Sequence, residues 1–134
     1  MSDFPSYIII IGKDQVGLAK DSTLSSELTR IIKREGTVVH FSISASAEGS
    51  TTIYTPSSGK KAKILGWSFY SDADVICELR FSTSKNVIAA LPFKGSHAMN
   101  TIGMEAPVGS QDETVEIYVS GAANIKGWIC VAEV

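Results

Sequence analysis

The chain has 134 residues, of which 44% are hydrophobic and 19% charged, with a formal charge of −2. That length suits one domain, able to bury about two-thirds of its unfolded surface without metals or disulfides. The slightly acidic balance argues against a strongly basic nucleic-acid binder.

The polar start MSDFPS reads as an arm. It has no basic stretch ahead of an apolar run, so it does not resemble a secretory signal. Tyr7, Ile8, Ile9, Ile10 and Ile11 follow. They are far too few for the ~20 apolar residues of a membrane span. No membrane partner is expected, and the cytoplasm is the expected place of synthesis. Five β-formers that are apolar on every side predict a strand covered on both faces. The reading favours a neighbouring subunit as part of that cover.

Residues 12–20 read as a loop. Residues 21–35, DSTLSSELTRIIKRE, predict the one convincing helix. Asp21 or Ser22 can cap its first turn. Leu24, Leu28, Ile31 and Ile32 recur at helical spacing and form one apolar stripe. Arg30, Lys33 and Arg34 crowd the last turn, where the helix dipole favours cations, and Gly36 is a ready residue to end it. So short a helix is marginal alone. It must lie on the remaining domain or pair with copies of itself. Tyr7–Ile11 and the stripe Leu24, Leu28, Ile31 and Ile32 are therefore the expected contacts with other subunits or partners. The division expected is residues 1–36 as arm, strand and helix, and 37–134 as a β domain.

From Thr37 the pattern has period two, which is the mark of half-buried strands. Val39, Phe41 and Ile43 alternate with Val38, His40, Ser42 and Ser44. STTIYT at 50–55 suits an edge strand. Residues 63–82, KILGWSFYSDADVICELRFS, read as a β-hairpin turning at Ser71-Asp72-Ala73-Asp74. Its arms would place Leu65, Trp67 and Phe69, then Val75, Cys77, Leu79 and Phe81, in one core. Val87–Leu91 is a short strand closed by Pro92. Residues 96–106 alternate poorly and read as loose. TVEIYVS at 114–120 and IKGWICVAEV at 125–134 are the last strands. About eight strands at such intervals predict an antiparallel β-sandwich of jelly-roll or other Greek-key type.

Chemistry-bearing residues are sparse. Asp72 and Asp74 could touch Ca²⁺, but that ion wants six to eight oxygens, so a turn is the stronger reading. His40 and His97 read as surface residues, on a polar strand face and in a loop. Glu105, Asp112 and Glu113 could pair as glycosidase carboxylates, but chains of this length offer such pairs routinely. Lys60, Lys61 and Lys63 form a basic cluster that also serves to solvate a strand end. Trp67, Tyr70, Trp128, Tyr118 and Tyr54 could form a carbohydrate platform, although Trp67 reads as core. Cys77 and Cys130 read as buried thiols in preference to a disulfide. No cofactor, metal site or catalytic residue is expected.

The stretch VGLAKDSTLSSELTRI at 16–31 resembles a linker and helix that recur in structural proteins of tailed phages and related prokaryotic viruses. The later SGKKAKILGWSFYSDADVICELRFSTS resembles the strand and hairpin of the same proteins. The resemblance implies a non-enzymatic virion protein, of capsid decoration, cement, tail or fibre type, that self-assembles and binds other virion proteins. It implies a homo-oligomer, with a trimer favoured, located in the virion. The alternative is a lectin-like or receptor-binding module that recognises surface glycans.

Overall fold

The computed structural model describes residues 36–134. Eight strands follow in order: β1 (Thr37–Ala45), β2 (Gly49–Tyr54), β3 (Ala62–Ser71), β4 (Cys77–Phe81), β5 (Val87–Leu91), β6 (Gly95–Asn100), β7 (Val115–Val119) and β8 (Ala123–Glu133). They form two four-stranded antiparallel sheets, ordered β1-β8-β3-β6 and β2-β7-β4-β5. No helix occurs among the described residues. The predicted strand at 7–11 and helix at 21–35 lie outside them, as do the predicted contacts Tyr7, Ile8, Ile9, Ile10, Ile11, Leu24, Leu28, Ile31 and Ile32.

The alternation in sequence becomes the two faces of each sheet. Ile64, Trp67, Phe69, Ile125, Ile129 and Val131 from the first sheet share one buried cluster with Cys77, Leu79, Phe81, Val115, Ile117 and Val119 from the second. The arrangement is that of a β-sandwich, with its core between the sheets. Burying these side chains is the dominant favourable contribution to folding, at roughly 1.5–3 kcal/mol for each large aliphatic one.

Three expectations are corrected. Residues 63–82 are not a hairpin. β3 lies between β8 and β6, whereas β4 lies between β7 and β5 in the other sheet. The intervening segment crosses from sheet to sheet because its polar groups bond elsewhere. Asp72 accepts from the Asn124 backbone N–H at 2.8 Å and from its side-chain amide at 2.8 Å. Asp74 accepts from the Lys94 N–H at 3.0 Å. Both turn arms still feed one core, because the core has two walls.

The inward set of β3 is also shifted. Its ladder with β8 slips between Ile64, opposite Val131, and Gly66, opposite Cys130. Leu65 is the extra residue of this bulge, so Ile64 joins Trp67 and Phe69 in the core cluster and Leu65 does not. A bulge reverses the faces on one side of itself.

The third correction is β6, which forms where a loose region was expected. It pairs with β3 from Gly66↔Asn100 to Ser71↔Gly95.

Close packing also fixes Gly127. A Cβ there would sit 2.1 Å from the Ser68 carbonyl oxygen and 2.7 Å from Phe69 Cα. The two central strands of the first sheet approach at a spacing that no side chain permits.

Candidate functional site

The second sheet carries a polar network on its outer face. β4 and β7 are in register with Glu78 opposite Tyr118 and Arg80 opposite Glu116. Arg80 Nε donates to Glu116 Oε2 at 2.6 Å, its Nη1 to Glu78 Oε1 at 3.3 Å and its Nη2 to Ser50 Oγ at 3.2 Å. The guanidinium lies 4.4 Å from the centroid of the Tyr118 ring. Tyr118 in turn donates its hydroxyl to Glu48. Lys85 Nζ adds a second cation 3.4 Å from Glu116. Arg80 thus spends its three nitrogens and its face on neighbours within the chain. The cluster fastens three strands together and offers no group primed for chemistry.

Glu113 is one of the three carboxylates considered above for glycoside chemistry. It is buried and serves as a clasp between turns. Its Oε2 accepts from the Thr83 and Ser84 N–H groups at 2.8 and 2.6 Å, and its Oε1 from Ser110 N–H at 2.9 Å. Burial alone would raise its pKa. The donors of Ser110, Ser84 and Thr83 outweigh that and hold it below the ordinary carboxylate range. The stabilisation is therefore complete above the unfolded-state value of about 4.3 and is lost as pH falls through the lower folded value. Glu113→Gln should cost about 1–3 kcal/mol at neutral pH, because an amide nitrogen cannot accept. It should also flatten the acid limb of stability against pH. Urea unfolding across the acid range checks this, and an acid limb identical to wild type would exclude the role.

Other expected residues are dispersed. Glu105 is exposed and Asp112 accepts from Gly59 N–H at 2.7 Å. The Tyr54 hydroxyl donates to Glu133 at 2.5 Å, and burial followed by that bond pushes its pKa up to about 12. No disulfide joins Cys77 to Cys130. Cys77 lies in the core, where burial and then Glu78 push its thiol up to about 12. Lys60 and Lys61 are exposed, in the turn region before β3, and Lys63 is half-buried. His40 is exposed, as expected. His97 is corrected from a loop surface residue to a half-buried one on β6. Its ring meets Trp67 edge-on, with centroids 6.1 Å apart, and tilts over Phe69 at 5.8 Å. The mismatch has a simple origin: His97 lies opposite Phe69 in the β3–β6 ladder, on the inward side.

The feature that remains unspent is the margin of the first sheet beside β3. After β6 the chain continues along the same side of β3. Thr101 N–H donates to Leu65 O, Ile64 N–H to Pro107 O and Gly109 N–H to Ala62 O, each at 2.9 Å. Val108 bridges Lys63. Residues 95–109 therefore edge β3 from Ala62 to Ser71, roughly 31 Å at about 3.4 Å per residue. Along this margin Met99, Ile102, Met104 and Val108 are all exposed, and Phe93 precedes them at 57% exposure. Five of the ten exposed large apolar side chains of the described residues fall here or just before it. A row of flexible methionines and aliphatic groups, left in water, is suited to pack against another protein surface. The sequence held the signal in the three apolar residues Met99, Ile102 and Met104, which fit no buried face. No protein-family model matches the chain, and no curated protein matches it.

Proposed function

We propose that this chain is a non-enzymatic virion structural protein, a capsid decoration or cement subunit or a tail- or fibre-associated one. It self-assembles, as a trimer in the favoured form, and binds a viral lattice. The observation that carries the reading is the apolar margin Met99, Ile102, Met104 and Val108, exposed beside β3, with exposed Phe93 just before it. The strand orders β1-β8-β3-β6 and β2-β7-β4-β5 support it, because they are read as a jelly roll of two Greek keys. That fold serves in viral capsids and in lectins alike. Fold does not fix function, so the weight stays on the margin.

The alternative, a glycan-binding module, draws on Tyr70 and Trp128. Tyr70 is exposed, Trp128 is half-buried, and both stand on the outer face of adjacent strands β3 and β8. Glycan arrays test that reading.

For the first reading, the genes flanking the coding sequence should encode capsid, portal or tail proteins. The purified chain should cosediment with the particles those genes produce. Phe93→Asp with Met104→Asp should weaken that binding by at least about tenfold, as loss of two exposed anchors implies. A chain that ignores the particles overturns the proposal.

A further inference from the structure

We propose that the outer edge of β1 pairs with β1 of a second copy, antiparallel and about a two-fold axis, so that the first sheets of two protomers become one. This does not rest on the virion reading and uses the opposite side of the sheet from the apolar margin. Among the described residues β1 has one strand neighbour, β8. Its ladder runs without interruption from Thr37↔Val131 to Ala45↔Ala123. The edges of the second sheet are irregular: the β2 ladder slips between Thr52 and Tyr54, and the β4–β5 ladder slips between Leu79 and Arg80. Bulges, lysines and prolines are the usual means of blunting an edge. β1, TVVHFSISA, has none of them. At nine residues it is the longest of the four edge strands, and it carries no Lys, Arg, Asp or Glu.

The side chains point to the same place. Val39 and Phe41 face the core, yet both stay half-buried, whereas Ile129, opposite Val39 on β8, is fully buried. No strand of the described residues stands on the side of β1 away from β8 to cover them. A second copy supplies that cover in kind. With the axis at Phe41, that residue meets Phe41 of the second copy, and Val39 meets Ile43 of the second copy. His40 meets Ser42 and Val38 meets Ser44 on the outer face. Aromatic and aliphatic cross-strand pairs stabilise a ladder, and like charges opposite each other destabilise it. No charged residue in β1 opposes the pairing. The interface is isologous, so it closes with two copies. Combined with a three-fold contact elsewhere, it gives hexamers.

The test places like charges across the axis. His40→Lys with Ser42→Lys sets lysines opposite one another, and His40→Glu with Ser42→Glu does the same with glutamates. Both positions are exposed, so the core is untouched, and thermal unfolding confirms that each variant folds. Light scattering at high micromolar concentration should give the unaltered full chain an even multiple of the 14.3 kDa protomer mass. Each variant should fall to half that mass, and mixing the two should restore it. A strict monomer, or a trimer alone, overturns the proposal. A mass that the substitutions leave unchanged assigns the edge to another occupant, residues 1–35 or a different protein, and also overturns it. So does a mixture whose components stay apart.

Discussion

Replacing Trp67 by alanine should lower the stability of the domain by about 3–5 kcal/mol, the range for emptying a large aromatic site. Trp67 is 4% exposed and lies in the β3 ladder between Ile129 of β8 and Met99 of β6. Its loss would leave the His97 ring without its edge contact and Phe69 with a void beside it. A second substitution separates packing from polarity. The indole Nε1 is buried with no hydrogen-bond partner. An orphaned donor carries a desolvation cost of about 1–3 kcal/mol. Trp67→Phe removes that donor while keeping much of the volume, so it should cost no more than about 1.5 kcal/mol. Urea unfolding followed by circular dichroism checks both. An alanine variant within 1 kcal/mol of wild type, roughly the centre of ordinary substitutions, would show that this wall of the core collapses freely.

Arg80→Ala should be the next most damaging change, at about 3 kcal/mol, the lower end of the range for stranding one member of a buried pair. The lower end applies because the Arg80 side chain is 15% exposed while that of Glu116 is 7% exposed. Alanine would leave the Glu116 carboxylate facing only the more distant Lys85 ammonium at 3.4 Å. It would also remove the cation from the face of Tyr118, a contact worth roughly 0.5–1 kcal/mol near a surface. Taking both charges away should cost much less than the sum. Arg80→Met with Glu116→Leu should recover at least half of the single-variant loss, because neither charge is then stranded. Additive losses in that double-mutant cycle would mean that the pair contributes nothing beyond its parts.

Much of this architecture is written in the period-two pattern. Val39, Phe41 and Ile43, then Cys77, Leu79 and Phe81, then Val115, Ile117 and Val119, all turn inward as alternation requires. Pro92 closes β5 where the chain needs no further ladder donor. Pairing was not legible, because alternation fixes a strand's faces and not its neighbours. β3 and β4 therefore looked like partners and proved to be walls of opposite sheets. Leu65 misled for a related reason: a bulge inserts one residue and leaves no mark in composition. β6 escaped because an edge strand with exposed Ser96, Ala98 and Met99 has no strong apolar face to display. Glu78 and Arg80 alternate with the inward residues of β4, but their half-buried tie to Glu116 depends on a register that only the folded sheet defines. The apolar margin stood in view as three apolar residues without a period. What it edges became clear only once residues 101–109 were seen to run beside β3.

The placement of β8 bears on how the domain reaches this state. It is the last of the eight strands to be synthesised, yet it lies between β1 and β3, with Thr37 opposite Val131. The first sheet therefore cannot close while β8 is still within the ribosome. Until then β1 and β3 lack the strand that joins them, so each presents an open edge on the side that β8 fills, while β6 is already available to cover the other side of β3. Such long-range pairing places the chain among slow-folding β proteins, in the millisecond-to-second range. Its hazardous interval is the one before β8 arrives, when open edges invite pairing with other nascent chains.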